Sequence, residues 1–174
     1  LAATFAAPAA AREDFQIRDA RIRLSDGAYL LDAKLDFGFS KRALEALDNG
    51  VPLTIVTHLQ VRRTTAWMWE DSQLDTQLRY VIRFKPLSES YEVYRLPGTS
   101  GPRFVTRDAA IRALGELDGI QLVNQSSLDP DEDYELQIKA FLDIEELPLP
   151  LRPLAYLMPA WKLSSGWSKW PLTR

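Results

Sequence analysis

Hydrophobic and polar positions alternate with period two along much of the chain, and the clearest run is Tyr29 to Phe39. Tyr29, Leu31, Ala33, Leu35, Phe37 and Phe39 share one parity; Leu30, Asp32, Lys34, Asp36 and Gly38 share the other. Side chains of a strand point alternately to its two faces, so this run predicts an antiparallel strand with one face on a core and one in water. The period changes at Ser40, whose hydroxyl oxygen suits it to accept from a free N–H of a first helical turn. Ala43, Leu44, Ala46 and Leu47 then follow helical spacing, and Asn49-Gly50 ends the helix. Two turns do not persist alone, so this helix has to pack against the sheet. After Gly50 the period returns to two. Leu53, Ile55, Thr57, Leu59 and Val61 face one way, and Thr54, Val56, His58, Gln60 and Arg62 the other. Pro52 fits the start of a strand, where a missing N–H does least harm.

The same reading extends outward in both directions. Residues 15–25 alternate with a change of parity near Arg18-Asp19, which predicts a bulge, and Ser25-Asp26-Gly27 predicts a hairpin turn. Thr65, Trp67 and Trp69 alternate with Ala66, Met68 and Glu70, a pattern that would let both indoles enter the core. Leu74 to Phe84 carries a long stripe, Tyr91 to Leu96 another, and Pro97 to Pro102 is a loop. Thr106 caps a second helix predicted over Arg107 to Leu117 and closed by Gly119, with Asp108 in its first turn. A short strand, Ile120 to Val123, precedes an acidic turn at Ser126 to Asp133 and a clean stripe from Tyr134 to Leu142. Pro148, Pro150, Pro153 and Pro159 predict a stiff extended crossing to a final strand within Trp161 to Trp170. Many short strands with two short helices predict a mainly β fold, an antiparallel β-sandwich of immunoglobulin-like or C2-like type. Residues 14–174 are expected to form one domain ending in a Pro- and Trp-rich segment.

Composition narrows the chemistry. The 174 residues carry 21 Lys plus Arg against 24 Asp plus Glu, a formal charge of −3, without a basic run that would read as a nucleic-acid face. Cysteine is absent, which removes disulfides, thiolate nucleophiles and zinc–sulfur sites. The single histidine, His58, rules out a histidine metal cluster within one chain and is the one candidate for a Ser–His–acid triad. No Gly-x-Ser-x-Gly elbow or phosphate-cradling glycine loop accompanies it. Asp32 and Asp36 share the polar face of one strand and could do acid–base work, but read more simply as a solvated face. Asp129-Pro-Asp131-Glu-Asp133 imitates the start of a calcium loop, yet Tyr134 and Ala140 stand where the glycine and the closing glutamate belong. No catalytic residue, metal or cofactor is therefore expected.

The tryptophans remain. Tryptophan serves both cores and binding hot spots. Trp161, Trp167 and Trp170 lie in one short segment, and the opposite parity of Trp167 and Trp170 prevents a continuous strand from burying both on one face. These three are the candidate binding residues. Leu1 to Ala11 is alanine-rich and uncharged, with Ala7-x-Ala9 and Ala9-x-Ala11 like the end of a secretory signal. Residues 1–13 are thus expected to be a signal-peptide remnant, or else a flexible tail.

Taken together, several motifs resemble a bacterial family known as domain of unknown function 4390. They are Tyr29-Leu-Leu-Asp-Ala33, Leu44-Glu-Ala-Leu47 with Gly50-Val-Pro-Leu53, Trp67-Met-Trp69, Tyr134 through Asp143, Leu147-Pro-Leu-Pro-Leu151, and Trp161-Lys-Leu-Ser-Ser-Gly-Trp167. The resemblance implies an exported protein whose gene neighbours that of a membrane sensor kinase of the nitrogen-regulation type. It assigns no catalytic residue. The expectation is a non-catalytic periplasmic or envelope protein that binds another envelope or membrane protein, such as the sensor kinase. Carbohydrate or lipid is the alternative ligand, and a hydrolase using Asp32, Asp36 or His58 the competing enzyme reading.

Overall fold

The computed structural model describes residues 14–173, so the signal-remnant expectation for residues 1–13 lies outside the described residues. Two antiparallel sheets face each other across one core. The smaller has the order β1 (Phe15–Ser25), β2 (Ala28–Phe37), β7 (Glu116–Asn124). The larger has the order β6 (Arg103–Phe104), β5 (Ser90–Arg95), β4 (Leu74–Lys85), β3 (Leu53–Arg63), β8 (Tyr134–Leu142), β9 (Ser168–Pro171). This is the antiparallel β-sandwich that the alternation predicts.

The inner faces are the predicted stripes. Tyr29, Leu31, Ala33, Leu35 and Phe37 of β2 are buried opposite Leu53, Ile55, Leu59 and Val61 of β3 and Leu136, Ile138, Ala140 and Leu142 of β8. Phe15, Phe37 and Phe39 form an aromatic cluster, with Phe15 edge-on to Phe37 at 4.8 Å between ring centroids. The bulge expected near Arg18-Asp19 is present, between Ile17 and Asp19. Asp26 and Gly27 both have positive φ (51° and 76°), which gives the hairpin a turn whose twist matches its strands.

Helices cover what the narrow sheet leaves open. Ser40 caps α1 (Lys41–Asp48): its Oγ accepts from the Ala43 N–H (3.2 Å) and donates to the Ala160 carbonyl (2.6 Å), tying α1 to the turn that carries Trp161. Thr106 caps α2 (Arg107–Leu114), which packs on β4 and β5 through buried Ala110 and Leu114. The ends of the sandwich thus differ. One holds the helices; the other holds the β1–β2 turn, the β3–β4 loop and the acidic turn before β8.

The local expectations fail at three places, each for a physical reason. First, α2 stops at Leu114 rather than Leu117. A Cβ on Gly115 would stand 2.0 Å from the Leu35 carbonyl oxygen, and Leu35 N–H donates to the Gly115 carbonyl (2.8 Å), so the chain passes straight from helix into β7. Gly119 is instead a residue with φ 60° inside β7. Second, Trp67 and Trp69 belong to no strand and no core. The Arg62 guanidinium donates to the Trp67 and Glu70 carbonyls (2.6 and 3.0 Å) and closes the segment into a loop. The two indoles stack on each other at 5.7 Å, exposed to 66% and 78%. Third, the Pro148–Pro159 crossing is not extended, and the two short helices expected are three among the described residues. It contains α3 (Arg152–Leu157), with Pro153 in the first turn, where a helix needs no N–H.

Among the described residues one carboxylate is buried: Glu92, 1% exposed on the outer face of β5. Arg83 grips it through Nε (2.8 Å) and Nη2 (2.7 Å), Lys85 lies at 3.5 Å, and the Gly101 N–H donates to it at 3.4 Å. Burial alone would push the Glu92 carboxyl up; the hydrogen bonds from Arg83 and Gly101 and the two positive charges outweigh it and hold the group below the ordinary range. A lowered folded-state value means that the unfolded chain binds the proton more readily. The stabilisation is therefore full above the ordinary glutamate range and is lost as pH falls through the folded value. Glu92→Ala is expected to cost about 2–3 kcal/mol near neutral pH, because Arg83 keeps partial access to water. The difference from wild type should shrink on acidification, as read by urea unfolding across pH 3–7.

Candidate functional site

The outer face of the six-stranded sheet is where the chemistry-bearing side chains meet. On β3 the outward residues are Thr54, Val56, His58, Gln60 and Arg62, the parity opposite to the core stripe. Register places His58 between Gln77 of β4 and Lys139 of β8, and the next rung joins Asp75, Gln60 and Gln137. An N–H at His58 Nε2 donates to Asp75 Oδ1 (2.6 Å), while Gln60 Nε2 donates to Asp75 Oδ2 (2.8 Å). The His58 hydrogen bond, more than any other contact, holds the Asp75 carboxyl below its ordinary range, with Gln60 adding to it against partial burial.

Closer to the helical end, the face is sealed. Arg79 reaches across Val56 to Asp143 (2.9 Å) and Glu146 (2.8 Å) beyond the end of β8, and Val56 is only 1% exposed. The open part is the stretch around His58.

Trp167 is brought there by a strap. The Leu142 N–H donates to the Leu163 carbonyl (3.0 Å), the Ser165 N–H to the Ala140 carbonyl (2.9 Å), and the Ala140 N–H to Ser165 Oγ (2.9 Å). Gly166, at φ 68°, then turns the chain before β9. Trp167 comes to lie against His58, with ring centroids 5.0 Å apart. Lys139 Nζ sits 5.6 Å from the Phe141 ring and 5.9 Å from the Trp167 ring. The result is an aromatic, cationic and hydrogen-bonding patch with Trp167 44% exposed, beside the sheet edge formed by β9.

The three candidate tryptophans have different places. Trp161 is 4% exposed and belongs to the core. It is no contact surface, because the turn that carries it is pulled under α1 by Ser40. Trp170 pairs with Leu136 on the inward parity of β9 and packs half-buried against the core edge. Trp167 alone meets solvent on the outer face. The parity conflict between Trp167 and Trp170 matches their different exposure; the burial of Trp161 rests on the Ser40–Ala160 bond, a tie between distant segments that no local pattern displays.

The remaining candidates stay apart from this patch. Asp32 and Asp36 lie on the outer face of the other sheet. Asp32 takes hydrogen bonds from Arg23 (2.9 Å) and the Gly119 N–H (2.7 Å), the first of which lowers its carboxyl most, and Asp36 is paired with Arg18. His58 has Asp75 as an orienting carboxylate but no hydroxyl in hydrogen-bond contact among the described residues. The Ser165 hydroxyl donates to the Gly166 carbonyl (2.7 Å). Asp129 accepts from the Asp131 N–H (2.9 Å) in an ordinary turn, and no group of three or more possible metal ligands forms among the described residues. That acidic turn, with Tyr29, Tyr134 and Leu172, lines an open cavity of about 750 Å³ at the end opposite the helices. No helix among the described residues is long and apolar enough to cross a membrane.

Fold and patch together define a small antiparallel sandwich with an exposed indole set against a histidine on the outer face of its wider sheet. The family described as "Domain of unknown function (DUF4390)" matches residues 12–171, and the chain belongs to it. Comparison with curated proteins and with solved structures finds no match.

The placements separate the tryptophans energetically. Trp161→Ala is expected to cost about 3–5 kcal/mol, as for a large buried aromatic. Trp167→Ala should cost less than about 1 kcal/mol, because the ring is partly solvated and the strap is held by backbone bonds. Equilibrium denaturation of the two variants checks this; equal losses would mean that Trp167 is a core residue.

Proposed function

We propose that the protein is a non-catalytic component of the cell envelope that binds another envelope protein, with a membrane sensor kinase as the partner class, through the Trp167 face. The observation that carries this reading is a half-exposed indole held by a backbone-bonded strap against His58 and Lys139. A rigid aromatic that is already ordered loses little entropy on contact, and tryptophan is among the commonest anchors of protein interfaces. Strand β9 at the adjacent edge offers N–H and C=O groups to an added strand. The periplasmic placement rests on the alanine-rich start of the sequence. The non-catalytic reading is supported by the Asp75–His58 pair having no hydroxyl in hydrogen-bond contact among the described residues.

A photoactivatable residue in place of Trp167, introduced in the full chain in the source cell, tests the reading. The expected product is a covalent adduct with an envelope protein, recovered with the envelope fraction and absent when the same residue replaces Met68 at the far loop. No adduct from position 167, or adducts with cytosolic proteins alone, would overturn it.

A further inference from the structure

We propose a second surface: the helical end of the sandwich docks on an anionic lipid surface through α3 and the turn before it. Leu149, Leu154, Tyr156 and Leu157 are exposed to 73%, 53%, 49% and 80%, all within one turn-and-helix segment. From Leu147 to Ala160 that segment carries a single charge, Arg152. Arg152 Nε donates to the Leu147 carbonyl (2.6 Å) and the Leu151 N–H to the Pro148 carbonyl (2.9 Å), so the ridge is held in shape rather than being loose chain.

Three observations select lipid as the occupant. The first is charge. Basic groups on the ridge and on the elements packed beside it include Arg152 itself, Lys162 just after it, and Lys41 and Arg42 on α1, which packs against the Pro159–Trp161 turn. Arg42 and Lys162 form no ion pair among the described residues and are exposed, as is Lys41, whose approach to Glu45 is a loose 3.9 Å. Of the neighbouring acids, Asp143 and Glu146 are paired with Arg79 (2.9 and 2.8 Å), while Glu145 keeps its charge and accepts from the Tyr156 hydroxyl (2.7 Å), one acid against four basic groups. Apolar side chains with an unpaired basic rim match the boundary between acyl chains and anionic headgroups, and tyrosine with its polar tip suits the same depth.

The second is area. Covering the four side chains completely would remove on the order of 500 Å² from one molecule, short of the roughly 800 Å² per partner of a stable protein interface. Side chains this exposed stand on a ridge, which a fluid surface can accept without a matching groove. The third is that exposed apolar side chains recur across this end of the sandwich. Leu87 and Val105, exposed to 104% and 86%, lie at this end too, after β4 and before α2.

Co-sedimentation of the full chain with vesicles of phosphatidylglycerol and phosphatidylethanolamine, against vesicles of phosphatidylcholine alone, is the test. Wild type should partition to the anionic vesicles at least about tenfold more strongly than to the neutral ones. The pair Leu154→Ser with Leu157→Ser should lower that partition about tenfold or more at unchanged thermal midpoint, since both residues are exposed. Arg42→Glu with Lys162→Glu should remove the preference for anionic vesicles, and Met68→Ser, at the opposite end, should change nothing. Absence of vesicle binding by wild type overturns the proposal, as does equal binding by the serine pair or loss of binding in Met68→Ser. A concentration-dependent dimer that the serine pair abolishes, without vesicle binding, would assign the ridge to a second copy and overturn it as well.

Discussion

A three-stranded sheet cannot cover a six-stranded one, and most of the remaining structure follows from that mismatch. The wider sheet presents a continuous apolar inner face, and apolar area left in water is the largest single loss available to the fold. Helix α2 takes the part over β4 and β5. The turn with Trp161, drawn under α1 by Ser40, closes the end where β2 gives way to β3. Trp170 and Leu172 pack at the β9 edge, beyond the reach of the smaller sheet. Each covering element is short and lacks independent stability, so each depends on a specific tie: a cap, a strap, or an arginine laid across a carbonyl.

Those ties decide which side chains of the outer face stay accessible. Arg79, bound to Asp143 and Glu146, covers Val56 and removes that part of the outer face from use. Arg83 and Glu92 do the same nearer the β5 edge. What is left open is the middle rung, with His58, Lys139 and Trp167. The strap that places Trp167 is also the continuation of strand pairing along β8, so the surface indole is positioned by the same hydrogen bonds that close the sheet. Removing the ring therefore need not disturb the scaffold that holds it.

The strands were legible in the sequence because a one-residue slip moves every side chain to the wrong face, which forces a strict pattern on β2, β3 and β8. The helix caps were legible because Ser40 and Thr106 each do a local job. What failed had causes several residues or a whole sheet away. Trp67 and Trp69 obey strand parity, but Arg62 folds their segment into a loop. The prolines of 148–159 suit extended chain equally well, and only the space beside the β8 exit admits a helix with Pro153 in its first turn. The end of α2 depends on how closely Gly115 approaches Leu35, a contact between elements some eighty positions apart in the chain. Of the candidate site, the outward parity of His58 and the split between Trp167 and Trp170 were readable. The pairing of His58 with Asp75 required the β3–β4 register.

The two surfaces lie at different places on the same frame, which bears on how they would act together. The Trp167 patch sits midway along β3 and β8, on a face that runs parallel to the strands, whereas the α3 ridge caps the end where those strands meet the helices. If the ridge rests on a bilayer, the strands stand away from it and the patch faces sideways, with Lys139 three residues back from the end of β8 at Leu142. At roughly 3.3 Å per strand residue this is on the order of 10 Å above the ridge's own base, a height at which a domain projecting from the same membrane would present its side. Neither contact needs to be strong. Confinement by one surface raises the effective concentration for the other, so under the two proposals modest lipid attraction at α3 would be enough to favour lateral recognition through Trp167.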